Sequence, residues 1–152
     1  MTLTATARMS DERRWSKKAV MDILSEIRDP GVPMSIVEMG IVSEDWIHLD
    51  DDVFRVEFRP ASPFCPVGVA LGVIIKYALE ENLDTEAKVR VLRGSHLQES
   101  LVNELLENRK RYLKTLNRLK SSGFVTRCYC RPLHRPESSN NKVYLAVSIF
   151  VP

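Results

Sequence analysis

The 152-residue chain carries 22 Lys and Arg against 20 Asp and Glu, and a net charge of +2 gives no strong pull toward nucleic acid or membrane. With 44% hydrophobic and 28% charged residues it reads as one globular domain, or one domain with an extension, long enough to bury a core without staples. It holds no apolar run of about 18 residues that would form a transmembrane helix. Residues 1–14 lack an apolar h-region and are expected to be a flexible tail rather than a secretory signal.

In chain order, residues 15–28 predict a helix. Ser16 is its cap, and Val20, Ile23, Leu24 and Ile27 form one apolar stripe. Asp29-Pro30-Gly31 ends it, since proline cannot continue the hydrogen-bond ladder. Ser35 then caps a short helical turn that Gly40 stops. Residues 41–49 and 53–59 predict a hairpin around Asp50-Asp51-Asp52. In its second strand Phe54, Val56 and Phe58 alternate with Arg55, Glu57 and Arg59, which makes one face apolar and the other wet.

The chain changes character at Pro60-Ala61-Ser62-Pro63-Phe64-Cys65-Pro66. Pro66 suits a first helical position, and residues 66–82 predict a central helix that is apolar around most of its girth. Gly68 and Gly72 within it permit close packing against a neighbour and have no phosphate-loop context. Residues 88–93 predict a third strand. Residues 96–120 predict one long helix, about 25 residues or roughly 37 Å, with a stripe of Leu97, Leu101, Leu105, Tyr112, Leu116 and Leu119. Its acidic first half and its basic second half (Arg109, Lys110, Arg111, Lys114, Arg118 and Lys120) match a single helix dipole. Only Tyr112 interrupts the basic cluster, so nucleic-acid binding is not expected. Residues 124–131 and 142–151 predict a closing hairpin. The fold class expected is α+β: a two-layer, mostly antiparallel sheet with helices on one face. A C-terminal long helix and β-hairpin extend it. This gives a tail (1–14), a domain (15–93) and an extension (94–152) packed on the same domain.

The three cysteines, Cys65, Cys128 and Cys130, cannot all pair within one chain. Nothing marks a secreted protein, so reduced thiols in a cytoplasmic setting are expected. Cys65 stands where a loop becomes a helix. The partial positive charge and free N–H donors of a helix N-terminus favour thiolate, the reactive and metal-binding form; the plain alternative is a buried structural cysteine. Cys128 and Cys130, two apart on an expected strand, would put both sulfurs on one face and could supply half of a tetrahedral metal site. Cys65, His96 or His134 could complete it; the bland alternative is a core face of Phe124, Thr126, Cys128 and Cys130. His48, His96 and His134 have no metal-ligand spacing to one another. Asp29 and Glu38 taken singly read as caps or solvated charges.

The order of turns adds to this. The segment from Val20 through Asp29-Pro30-Gly31-Val32-Pro33 to Ser35-Ile36-Val37-Glu38-Met39-Gly40, then a hairpin, then Ser62-Pro63-Phe64-Cys65-Pro66 leading into a helix, resembles the metal–sulfur (iron–sulfur) cluster assembly domain family, the PaaD-like and SufT-like group. The resemblance covers residues 19–93, about half the chain. It implies a non-enzymatic accessory role in assembling iron–sulfur clusters or passing them to client proteins, with Cys65 as the functional thiol or cluster ligand and Asp29, Glu38 and Ser62 supporting it. The family usually has Asp at the position of Glu38, often Glu at that of Gly31 and often Thr at that of Ala61. No stably bound cofactor is expected, at most iron or a cluster in passage. A cluster normally takes four protein ligands, so a dimer mate, a client, or Cys128 and Cys130 would supply the rest. The implied partners are assembly machinery or clients, with no nucleic acid and no membrane. The long apolar stripe and the apolar last strand together predict a homodimer. The same residues also fit an interaction module without metal chemistry that grips a partner with the long helix. A thiol enzyme lacks support, because no histidine context pairs with Cys65.

Overall fold

A computed structural model describes residues 15–50 and 53–130. The first helix, α1, is Lys17–Ser25, and the Ser16 hydroxyl accepts from the Ala19 N–H at 3.1 Å. Of the stripe read from the sequence, Val20, Leu24 and Ile27 are fully buried and Ile23 is partly buried against the core. After a single 3-10 turn, Glu44–Trp46, come β1 (Ile47–Asp50) and β2 (Val53–Phe58). Helix α2 is Gly68–Leu83, and β3 is Lys88–Val91. The expected first strand is shortened, because Ile41 and Val42 reach the core from a turn and not from the sheet.

The sheet order is β1-β2-β3. β1 and β2 pair antiparallel, with Ile47 opposite Val56, and β2 and β3 pair parallel, with Val56 opposite Val89. The class is α+β, but the sheet is mixed and not mostly antiparallel. The reason is topological: α2 carries the chain back across the sheet before β3, and such a crossover leaves the next strand parallel. Ile47, Phe54, Val56, Phe58, Val89 and Val91 form the inner face. Leu71, Val73, Ile74, Ile75, Ala78 and Leu79 of α2 are fully buried in the same core. Gly72 allows the close approach: a Cβ there would lie 2.9 Å from the Phe58 ring and 3.1 Å from Leu106.

The long helix expected over 96–120 is two helices, α3 (Glu99–Glu107) and α4 (Arg109–Ser121). Asn108 ends the first and caps the second: its backbone is extended (φ −82°, ψ 103°), and its side chain accepts from the Arg111 N–H at 3.1 Å. The break is held from the core. Lys76, buried in α2, donates to the Leu106 carbonyl at 3.2 Å, one of those an α-helix end leaves free. Glu80, one turn on, takes both of its carboxylate oxygens to Arg109 at 2.9 and 3.0 Å. Removal from water holds the Lys76 ammonium below its usual range, partly offset by Glu80. Bending at Asn108 lets Val102 and Leu106 of α3, and Tyr112 and Leu116 of α4, bury against the domain.

The strand expected over 124–131 is instead a helix, α5 (Phe124–Cys128), started by Gly123 at φ +75°. Val125, Cys128 and Tyr129, at helical spacing, are the buried residues, and Tyr129 packs edge-on against Tyr77. The second strand of that hairpin, the tail 1–14 and His134 lie outside the described residues.

Candidate functional site

Cys65 lies between two tight turns. Its N–H donates to the Ser62 carbonyl at 3.1 Å, closing a turn over Pro63 and Phe64, and its carbonyl accepts from the Gly68 N–H at 3.2 Å. The Ser62 hydroxyl accepts from the Phe64 N–H at 3.3 Å, so Ser62 shapes the turn that presents the thiol. Helix α2 begins at Gly68, not at Pro66, and Val67 is its cap residue. Cys65 therefore precedes the helix and does not cap it. Pro66 preorganises the intervening turn through its fixed φ. The cysteine is partly exposed.

A second segment clamps this loop. His96 Nε2 stands 3.1 Å from the Cys65 carbonyl oxygen, and His96 Nδ1 accepts from the Gln98 N–H at 3.1 Å. Because Nδ1 is an acceptor, the ring proton sits on Nε2 and is donated to Cys65. The Leu97 N–H adds a bond to the Pro63 carbonyl at 3.1 Å. Gly68 sits close to the loop: a Cβ there would press on Pro60 at 3.3 Å and come into ordinary contact with His96 Nε2 at 3.5 Å. Both imidazole nitrogens are thus engaged with backbone, and His96 orients the loop. Phe64 and Leu97, on the two joined segments, are 76% and 69% exposed. A cavity of about 300 Å³ opens between Met39-Gly40-Ile41, residues 59–63 and Ser95.

The other candidate residues make local contacts of their own. Ser35 and Glu38 form a reciprocal capping pair: Glu38 accepts from the Ser35 N–H at 2.8 Å, and the Ser35 hydroxyl from the Glu38 N–H at 3.1 Å. Those bonds hold the Glu38 carboxyl below its usual range. Asp29 accepts from the Gly31 N–H at 2.8 Å, and Arg28 donates its N–H to the Cys128 carbonyl at 2.8 Å. Burial, and then the Asp29 carboxylate, push the Cys128 thiol up to about 11. Cys130 is exposed, with its sulfur 3.1 Å from the Thr126 carbonyl oxygen. Cys128 and Cys130 therefore do not share a strand face, because Cys128 ends helix α5 and is buried while Cys130 lies beyond it and is exposed. Among the described residues, no three His, Cys, Asp or Glu side chains gather closely enough to hold a metal ion. Sequence reasoning missed the importance of His96 and Leu97. A lone histidine after a Gly-Ser turn carries no periodic signal, and only the packing of residues 94–97 on the 60–66 loop gives it a partner.

The fold and site define a class: a small α+β domain that presents a single thiol on a clamped turn ahead of its central helix. The comparisons with known proteins narrow this further. A family model described as iron–sulfur cluster assembly protein matches residues 17–92. The MIP18 family protein galla-2 of Drosophila melanogaster is 28% identical over 130 residues, covering 81% of this chain and 83% of that protein. Protein AE7-like 1 of Arabidopsis thaliana is 30% identical over 113 residues, covering 72% and 73%. Cytosolic iron-sulfur assembly component 2B of Mus musculus is 27% identical over 115 residues, covering 73% and 71%. The chain belongs to the iron–sulfur cluster assembly protein family, and its role is that of an accessory factor in iron–sulfur assembly. No helix among the described residues is long and apolar enough to cross a membrane.

Proposed function

We propose that Cys65 is the thiolate through which this accessory factor handles iron–sulfur clusters, receiving a cluster or its iron in passage and giving it up to a client protein. The observation that carries this reading is the setting of Cys65: a partly exposed cysteine on a turn whose carbonyl is held by His96. In the exchange, the deprotonated Cys65 sulfur takes one iron position as a carrier ligand leaves, and a client thiolate later displaces it. No oxidation state changes. The remaining ligands come from the carrier, the client or a second copy of the chain, since one thiolate is one ligand of four. Phe64 and Leu97, exposed on the two joined segments, give a docking partner apolar surface. The mouse relative's name places that protein in the cytosol, and a reducing cytosol suits a chain whose described cysteines are all free thiols.

The test is anaerobic transfer from an iron–sulfur-loaded carrier to an apo client, with wild type and Cys65→Ser compared. Transfer should depend on Cys65, and Cys65 should resist alkylation while cluster is passing. Equal transfer by the serine variant would refute the reading.

A further inference from the structure

The division of the expected long helix into α3 and α4 removes the simple explanation for its basic cluster. In one continuous helix the six cations would sit in the C-terminal half, where the dipole favours them. In the observed fold Arg109, Lys110 and Arg111 occupy the first turn of α4, the end where cations are disfavoured, and that turn contains no acidic residue. Arg109 and Arg111 are compensated from outside the helix, by Glu80 and by Glu104. Lys110 makes no ion pair among the described residues, and neither do Lys114 and Arg118. These three are spaced i, i+4, i+8, so they form one exposed row about 6 Å apart along the axis. The row lies opposite the buried Tyr112 and Leu116. Like charges at that spacing repel one another. Beside the row Leu113 is 40% exposed.

We propose that this face of α4, Lys110, Leu113, Lys114 and Arg118, is a docking surface for an acidic amphipathic helix of a partner protein. Charge complementarity commits it to that occupant. A helix bearing carboxylates every fourth residue repeats at the same spacing of about 6 Å. Next to them an apolar side chain of such a helix meets Leu113. A nucleic acid fits less well: the one aromatic residue of α4, Tyr112, is buried and offers no stacking surface. The surface is independent of the thiol chemistry at Cys65.

The probe is a fluorescein-labelled 20-residue helical peptide with Glu at every fourth position and Leu on the adjoining stripe, titrated with the full chain by anisotropy. Binding should weaken at least tenfold between 50 mM and 300 mM salt. It should fall at least tenfold in Lys110→Glu/Lys114→Glu/Arg118→Glu and at least threefold in Leu113→Ala. A peptide with Lys replacing Glu should bind the charge-reversed variant and not the wild type. Circular dichroism melts confirm that these surface variants fold, and Cys65→Ser should bind the acidic peptide as wild type does. Overturning results are an absence of salt-dependent peptide binding, equal binding by the charge-reversed chain, or tighter binding of a 20-nucleotide oligonucleotide lost in the same variants.

Discussion

His96 reaches back across 31 residues to hold the backbone carbonyl of Cys65, Nε2 to O at 3.1 Å. Leu97 repeats the attachment one residue on, through its own N–H and the Pro63 carbonyl. The cysteine turn is therefore a two-point suture between the loop after β2 and the segment before α3. The backbone that carries the sulfur is fixed by contacts that leave the thiol itself unused.

The suture should be separable from the thiol. His96→Ala removes two hydrogen bonds, one to the Cys65 carbonyl and one from the Gln98 N–H, an effect on stability of about 1–3 kcal/mol. Amide exchange should accelerate at Leu97 and Gly68, and the alkylation rate of Cys65 should change while that of Cys130 does not. His96→Gln, whose amide can donate to the same carbonyl, should recover part of the protection. Unchanged exchange in the alanine variant would mean that the ring does not hold the loop.

Cys65→Ser should leave the fold intact, within about 0.5 kcal/mol in urea unfolding, because a partly exposed thiol contributes little packing. Iron–sulfur enzyme activities in cells lacking the native protein should fall with the serine variant and recover with wild type. Full complementation by serine would remove Cys65 from the function.

The three thiols should separate by reactivity. Cys65 and Cys130 should be alkylated in the native protein at pH 8, whereas Cys128, buried and pushed up to about 11, should react only on unfolding. That shift is upward, so its contribution to stability is fully present below the unfolded thiol value and is lost as pH rises through about 11. Mass spectrometry of iodoacetamide-treated native and urea-unfolded protein reads this directly.

Gly72→Ala should destabilise despite the better helix propensity of alanine. The propensity gain is about 1 kcal/mol, but the new methyl would lie 2.9 Å from the ring of Phe58, which is fully buried and cannot swing away. Overpacking of this kind costs about 1–3 kcal/mol, so a net loss of up to about 2 kcal/mol is expected in urea unfolding. Gly94→Ala, whose new methyl would have nothing within 4 Å, should show only the strain of its positive φ.

Ser35→Ala should cost about 0.5–2 kcal/mol, the usual range for a lost cap. Glu38→Gln should be less stable than wild type at neutral pH. The folded carboxyl is held below its ordinary 4.5, so its stabilising effect is present above that value and disappears as pH falls through the lower one. The two proteins should converge in acid-unfolding curves, and a constant gap down to pH 2 would contradict the capping pair.

Much of this was legible in residues 15–93, because there each structural signal is local. The Ser16 cap, the Val20-Leu24-Ile27 stripe, the Ser35 cap, and the alternation of Phe54, Val56 and Phe58 are all dictated by neighbours within a few positions. The order of turns around Cys65 was enough to indicate the family. Beyond Gly94 the decisive interactions are distant in sequence, and tertiary structure decided the outcome. Lys76 and Glu80, on a helix some 30 residues away, hold the Leu106 carbonyl and the Arg109 guanidinium, so a helical pattern that reads as continuous bends at Asn108. Residues 124–128 alternate like a strand, yet burying Val125, Cys128 and Tyr129 against the domain requires helical spacing. His96 gained its role in the same way: periodicity constrains which residues share a face, and only packing determines which backbone a single side chain will meet.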